Sequence, residues 1–426
     1  MKKCDILCSI ISVTIRMNVH FIYRFIDLYH YYLLELMMKR VYRIMLLFFV
    51  CFFTLNSVSS ANDGVIKIGF NIPLTGWLQQ PGNRAKNAAK LILDDLQAQE
   101  GLKVGNKTYD VVFLFGDNRS NPSDASSLAI QQISNGKVLG LVGPLSSQHA
   151  VPVGQLVNAF STPMIASWST SPATTKDRPY VFRSGTLYTL HGPVITKFAA
   201  NEFKAKKAAV LFDIVSAYPR GMASNFKIAF ETKNGPGSVV AFEEFRTGDH
   251  DFRPQLRRIM VSGAQFLFTP QHYNEVPLIL QQAKEIGLTI PIMGSSSWAG
   301  GDLIGGCGDN CEGLFYTGDY APGGAKGINR QFVDAYNKAY GTNPDEPAAL
   351  TWDATHAMLQ AIKNVGHLSG NLKKDRTAVM ESLTGLKNFE GATGIMNFNA
   401  TGNPKDCVVI VRIVNKIRTF YDSVCP

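Results

Sequence analysis

From Val65 onward the chain alternates short β-rich apolar runs with longer stretches whose apolar residues recur at helical spacing. Val65 to Phe70 is predicted as a strand, and Gln80 to Gln99 as a helix, because Ala85, Ala88, Ala89, Ile92 and Leu96 share one face. The rhythm continues through strand Val111 to Phe115, helix Ser123 to Ser134, strand Val138 to Val142, helix His149 to Phe160 and strand Met164 to Ala166. After Arg183-Ser184-Gly185 a second series follows: helix Leu190 to Glu202, strand Ala208 to Phe212, helix Ala217 to Glu231, strand Ser238 to Phe242, helix Phe252 to Met260, strand Phe266 to Thr269, helix Glu275 to Ile286 and strand Ile290 to Met293. Long helices return at Ile328 to Tyr340, Pro347 to Val365 and Asp375 to Leu383, before a hairpin of Cys407 to Val414 and Ile417 to Tyr421 around Asn415-Lys416. Strands that alternate with helices imply an α/β fold of parallel sheets covered on both faces, and two series of similar size imply two similar lobes. In such sheets ligands collect at the carboxyl ends of strands, here the loops after Phe70, Phe115, Val142, Ala166, Phe212, Thr269 and Met293.

With 426 residues, 46% apolar and 18% charged, the chain is long enough for two cored domains and too apolar for disorder. Its net charge of +9 is inflated at the start, where the first 61 residues hold seven Lys/Arg against three Asp/Glu. The rest carries 35 against 30, an excess too small and scattered to suggest nucleic acid.

Lys39-Arg40-Val41-Tyr42-Arg43 precedes an uncharged apolar run from Ile44 to Leu55. At helical rise that run spans about 18 Å, short of the hydrocarbon core of a bilayer. Ser59 and Ala61 then place small residues at the positions a signal peptidase reads, so residues 38–61 describe a secretory signal peptide. Residues 1–37, apolar and aromatic without an evident role, are expected to be a mis-assigned extension, with an uncleaved anchor as the rival reading. Cys51 lies among bulky residues, unsuited to lipidation.

An exported chain cut after Ala61 keeps Cys307, Cys311, Cys407 and Cys425, an even number that allows three pairings. Cys307 with Cys311 and Cys407 with Cys425 is the expected arrangement, the second ring worth about 3 kcal/mol in the chain-entropy model. A zinc site lacks the paired Cys-x-x-Cys or His-x-x-x-His it would need, and no metal or cofactor is expected.

Two loops put hydroxyls at helix starts: Gly143-Pro144-Leu145-Ser146-Ser147-Gln148-His149 after Val142, and Ser167-Trp168-Ser169-Thr170-Ser171-Pro172 after Ala166. In the second, Ser171 is expected to cap a helix that opens on Pro172. Amides and hydroxyls converging there can hold a carboxylate without a basic counter-ion; the alternative is that each hydroxyl only caps its helix. Together with Ile68-Gly69-Phe70-Asn71-Ile72-Pro73-Leu74-Thr75-Gly76, Tyr218-Pro219-Arg220-Gly221, Asp249-His250-Asp251-Phe252 and Gln282-Ala283-Lys284-Glu285-Ile286-Gly287, these stretches resemble, in order over about 360 residues, the Leu/Ile/Val-type solute-binding proteins of ABC importers.

That resemblance implies a type I periplasmic binding-protein fold with three crossings between lobes, near Gly185, Gly318 and Asn397. Lobe I would be 65–186 plus 319–396, and lobe II 187–318 plus 397–426. It further implies that Ser147 and Thr170, with the backbone of Trp168 and neighbouring Ser146, hold a ligand carboxylate. Tyr218 would close over the ligand from lobe II beside His272 and Tyr273, and Trp77 would wall the pocket. Relatives that bind α-amino acids resemble one another in carrying an acid after the strand that here ends at Met293, whereas this chain reads Gly294-Ser295-Ser296-Ser297-Trp298, with Ser296 at that place. Either Asp319, beside Tyr320, supplies the charge for an ammonium, or the ligand has no ammonium and is walled by Trp77, Trp168, Trp298, Tyr218 and Tyr320.

The expected function is that of a monomeric, periplasmic receptor that hands an amino acid or related small carboxylate to a membrane permease. The same fold serving as a sensor for a regulatory partner is the alternative. Enzyme readings lack support, since neither a Gly-x-Ser-x-Gly elbow nor a phosphate-binding glycine loop occurs and the histidines are dispersed. A secreted hydrolase acting through Ser147 and His149 is the rival of another class.

Overall fold

The computed structural model describes residues 64–404 and 407–425. The leader and extension read over 1–61 lie outside the described residues. Lobe I is built on β1 (Val65–Ile72), α1 (Gln79–Ala98), β2 (Leu102–Val104), β3 (Lys107–Asp117), α2 (Pro122–Ser134), β4 (Gly140–Val142), α3 (Ser147–Ala159), β5 (Met164–Ala166) and β6 (Val181–Arg183). Its six strands run in the order β2-β3-β1-β4-β5-β6. β1, β3, β4, β5 and β6 pair in parallel, and the short β2 turns back on β3. Phe70 pairs with Val142, and Val142 with Ile165, so the carboxyl ends of β1, β4 and β5 lie side by side.

Lobe II follows with α4 (Tyr188–Glu202), β7 (Ala208–Asp213), α5 (Ala217–Asn234), β8 (Val239–Phe245), α6 (Arg253–Val261), β9 (Leu267–Phe268), α7 (Val276–Glu285), β10 (Ile292–Gly294), the short α8 (Leu303–Cys307) and β11 (Phe315–Gly318). The chain then supplies α9 (Gly327–Tyr340), α10 (Glu346–Val365), α11 (Leu372–Gly385) and the hairpin β12 (Phe389–Gly391) and β13 (Gly394–Met396). β14 (Val408–Val414) and β15 (Ile417–Val424) complete the second sheet, ordered β15-β14-β11-β10-β9-β7-β8.

Local chemistry sets these boundaries. Asn121 accepts from the amides of Ser123 and Asp124 to start α2, with Pro122 at the first helical position. Asp345 accepts from Ala348 N at 3.0 Å to start α10, which ends on Gly366 at φ +72°. α10 is buried along most of its length, from Ala348 to Ile362, and packs on α1 and β4. Its approach to β4 is close: a Cβ on Gly140 would stand 2.7 Å from Met358 Sδ. In lobe II, Phe212, Phe226, Phe230, Phe266 and Phe268 form an aromatic core between α5 and the sheet.

β2, β6, β11, β12 and β13, each three or four residues long, are absent from the sequence reading. The third crossing is corrected. Residues 397–404 stay with lobe I, because Asn403 Oδ1 accepts from Arg183 Nε at 2.7 Å and Gly402 O from Arg183 N at 3.0 Å, so the chain returns to lobe II between Pro404 and Val408. At the first two crossings, Thr186 N donates to Asp319 Oδ1 at 3.0 Å, and the His191 ring sits between the hydroxyls of Thr186 (2.8 Å) and Thr317 (2.9 Å). Disulfides join Cys307 to Cys311 and Cys407 to Cys425. Among the described residues no helix is long and apolar enough to cross a membrane.

Four buried histidines, His149, His191, His272 and His356, are each held neutral by burial, which lowers their pKa to about 4. In the unfolded chain an imidazole takes up its proton near 6.5, so between that pH and 4 the unfolded chain binds protons the folded one refuses. Their contribution to stability is therefore present above the unfolded value and lost as pH falls. Glu275 and Asp345 oppose them: burial raises both carboxyls, Glu275 to about 7, and their contribution is lost as pH rises. With four groups against two, the thermal midpoint is expected to fall by several degrees between pH 7 and pH 5 in calorimetry; a flat or rising profile contradicts this balance.

Candidate functional site

The aligned ends of β4 and β5 bring the two hydroxyl loops together. Ser147, the first residue of α3, is buried, and its hydroxyl accepts from Ser169 Oγ at 3.0 Å and from Ser171 N at 3.3 Å, which leaves its own proton to donate. α3 has neither a side-chain cap nor an acid in its first turn, so its leading amides keep their partial positive charge. Thr170 is 1% exposed, and its hydroxyl has no hydrogen-bond partner among the described residues. Ser171, expected to cap a helix, makes no side-chain cap bond, and only a single 3-10 turn, Pro172–Thr174, follows it.

Arg183, missed by the sequence reading, fixes this loop. Its guanidinium is completely buried and donates to Ser169 O at 2.6 Å, Ser171 O at 2.7 Å and Thr175 Oγ1 at 3.1 Å, while Nε grips Asn403. Burial pulls its pKa down to about 9, with the Asp319 carboxylate acting in the opposite direction. The signal was present: an arginine ending the apolar run Val181-Phe182 has to find buried acceptors.

A narrow, nearly closed cleft lies between the lobes. Lobe I lines it with Trp77, Leu78, Leu145, Ser146, Ser147 and Trp168, and lobe II with Tyr218, His272, Ser296 and Ser297. Tyr218 is buried, and its hydroxyl meets Ser295 Oγ and Ser296 Oγ, each at 2.9 Å. His272 lies 4.8 Å from the Trp77 ring and 5.9 Å from that of Tyr218, its Nε2 3.1 Å from Ser216 Oγ. Trp168 Nε1 donates to Glu346 Oε1 at 2.9 Å, and Glu346 Oε2 accepts from Asp319 N at 2.7 Å. Glu346 also escaped the sequence reading, although Asp345-Glu346-Pro347 is a helix-start signature that places an acid at the positive end of α10.

Five expected residues are not among those lining the cleft: Thr170, buried in the loop beside Ser147, and Trp298, Tyr273, Asp319 and Tyr320. Trp298 is fully buried against Gly294, where a Cβ would stand 2.1 Å from the indole, so it is core of lobe II. Tyr273 seals the seam beside the cleft, donating from its hydroxyl to Trp77 O at 3.0 Å. Asp319 is a hinge residue held by Thr186, and Tyr320 packs with Phe332 and Tyr336 in lobe I, so neither lines the cleft. The seam carries two further bonds between lobes, Asp302 N to Gln80 Oε1 at 2.9 Å and Gly301 N to Asp345 Oδ2 at 3.1 Å. Gly301 has φ +62°, and a Cβ there would enter the Tyr273 ring. His149 is buried beside Gln148, its Nε2 3.3 Å from the amide nitrogen and its Nδ1 without a partner among the described residues, so the serine–histidine pair of the hydrolase reading does not form.

A family model described as periplasmic binding protein matches residues 65–417. The chain is 28% identical over 356 residues to a leucine-, isoleucine-, valine-, threonine- and alanine-binding protein of Pseudomonas aeruginosa, covering 82% of this chain and 90% of that one. It is 25% identical over 361 residues to a leucine-specific-binding protein of Salmonella typhimurium, covering 79% and 92%. Among solved structures, a leucine-binding protein, LivK, from Thermotoga maritima superposes with TM-score 0.76 at 28% identity, covering 85% of this chain and 99% of that one. A branched-chain amino acid substrate-binding protein, LivJ, from Streptococcus pneumoniae in complex with isoleucine gives TM-score 0.75 at 25% identity, covering 85% and 100%.

Because Arg183 satisfies the carbonyls on both sides of Thr170, Arg183→Lys keeps a charge but cannot reproduce the fork. This variant is expected to lose about 3 kcal/mol of stability, the scale of a broken buried charge network. Denaturant unfolding measures it, and a loss below about 1 kcal/mol removes Arg183 as the loop's anchor.

Proposed function

We propose, from the premise that this chain belongs to the periplasmic binding protein family, that it is an extracytoplasmic solute-binding protein which takes a small carboxylate into the cleft between its lobes. One observation carries the reading. The uncapped start of α3 and the spare proton of Ser147 lie at the cleft, and the neighbouring loop carries the buried, unpartnered hydroxyl of Thr170, a set of donors that would suit an anion without a basic side chain. Tyr218, Ser296 and His272 face it from lobe II, so a ligand seated there touches both lobes and favours the closed arrangement. Relatives named for leucine, isoleucine and valine support an amino acid or a carboxylate of similar size as the solute.

Delivery to the permease subunits of an ABC importer completes the proposed role, with the receptor acting as a monomer. A catalytic role has no support in the cleft, where Ser147 serves its neighbouring loop and His149 is held neutral away from it. Titration calorimetry with leucine, isoleucine and 4-methylpentanoate tests the reading. For whichever of these binds tightest, Thr170→Val and Ser147→Ala are each expected to weaken affinity by about 1.5–3 kcal/mol, the range for a hydrogen bond to a charged group. Affinity unchanged in both variants would sink the carboxylate site.

A further inference from the structure

An α-amino acid carries its ammonium on the carbon next to its carboxylate, so seating the carboxylate at Ser147 and Thr170 fixes where the ammonium must go. It falls among the cleft residues of that end, namely Ser146, Leu78, Leu145 and Trp168, with Tyr218 and Ser296 opposite. None of these is acidic. Neutral hydroxyls accept N–H groups, but they do not supply the charge that offsets taking an ammonium out of water.

Acids near the cleft are committed elsewhere. Glu346 spends one oxygen on the Trp168 indole N–H and the other on Asp319 N, and its charge rests on the start of α10. Asp319 is bound by the amide and hydroxyl of Thr186 and faces buried Arg183. Asp213, Glu275 and Asp249, which accepts from Arg246 N at 2.8 Å, line a wider chamber that shares Trp77 and His272 with the cleft. There Asp213 accepts from Val215 N and the Thr247 hydroxyl, and Glu275 accepts from the Gln271 amide. A group bonded to the carbon beside the carboxylate is tied to the Ser147 end and does not extend past Trp77 and His272 into that chamber.

Resting on the carboxylate reading above, we infer that the preferred solute is a monocarboxylic acid with an apolar or aromatic body and no α-ammonium. Its acid group docks at Ser147 and Thr170, and its body lies against the wall that Trp77, His272, Trp168 and Tyr218 make. These walls are apolar or uncharged, His272 included, and they offer flat faces to a ring or a branched chain.

Matched pairs decide the matter, because 4-methylpentanoate is leucine without its ammonium and 3-phenylpropanoate is phenylalanine without its own. Titration calorimetry of the wild-type chain is expected to show each acid binding at least tenfold tighter than its parent amino acid. Tighter binding of leucine or phenylalanine than of its partner overturns the inference while leaving the carboxylate site intact. If none of the four binds, the carboxylate reading falls and takes the inference with it. As a second arm, Ser296→Asp is expected to weaken binding of the better of the two acids at least tenfold by charge repulsion. Equal or tighter binding of that acid by the variant counts against an ammonium-free solute.

Discussion

Arg183 is the constraint on which the rest of the site depends. A guanidinium fully removed from water has to be met by acceptors on every side, and here the acceptors are the backbone of the loop that carries Thr170, the Thr175 hydroxyl and Asn403. The loop is thereby fixed by a group that never touches the cleft, and its carbonyls turn toward the arginine. The same residue anchors 397–404 to lobe I and so decides where the chain makes its last passage between lobes.

In the proposed site a carboxylate would be met by preorganised dipoles, since no lysine or arginine lines the cleft. Amides at a helix start and two hydroxyls offer hydrogen bonds of fixed direction, supplied by the parallel register of β1, β4 and β5. Opposite them lies a hydroxyl cluster of Tyr218, Ser295 and Ser296, with Ser297 Oγ 3.4 Å from Ser295 Oγ and donating to Gln271 O. Such an arrangement selects shape and polarity together, because any misplaced charge on the ligand is left without a counter-charge.

Much of this was legible in the chain. The alternation of apolar runs with helical faces located the principal strands and helices, since long periodic segments declare themselves. Both disulfides followed from an even cysteine count and short spacing. The hydroxyl corners at Ser147 and Thr170 could be read because turn and helix-start residues are local signals. What spacing could not reveal was direction. Trp298 and Tyr320 are aromatic residues after strand ends, as Trp168 is, yet they turn into the cores of their own lobes. Asp319 occupies the position of a candidate counter-charge but is claimed by Thr186 across the hinge. Glu346 is far from the motif loops in sequence and reaches Trp168 only through tertiary packing, while Arg183 ends the next strand and turns back under the loop it holds.

The hydrogen bonds of Tyr273, Gly301 and Asp302 across the seam join protein to protein. Each lowers the free energy of the shut chain whether or not anything occupies its cleft, so occupancy supplies only the remainder of the bias. In the proposed role, the rate at which that seam unzips would then set how readily solute enters and leaves.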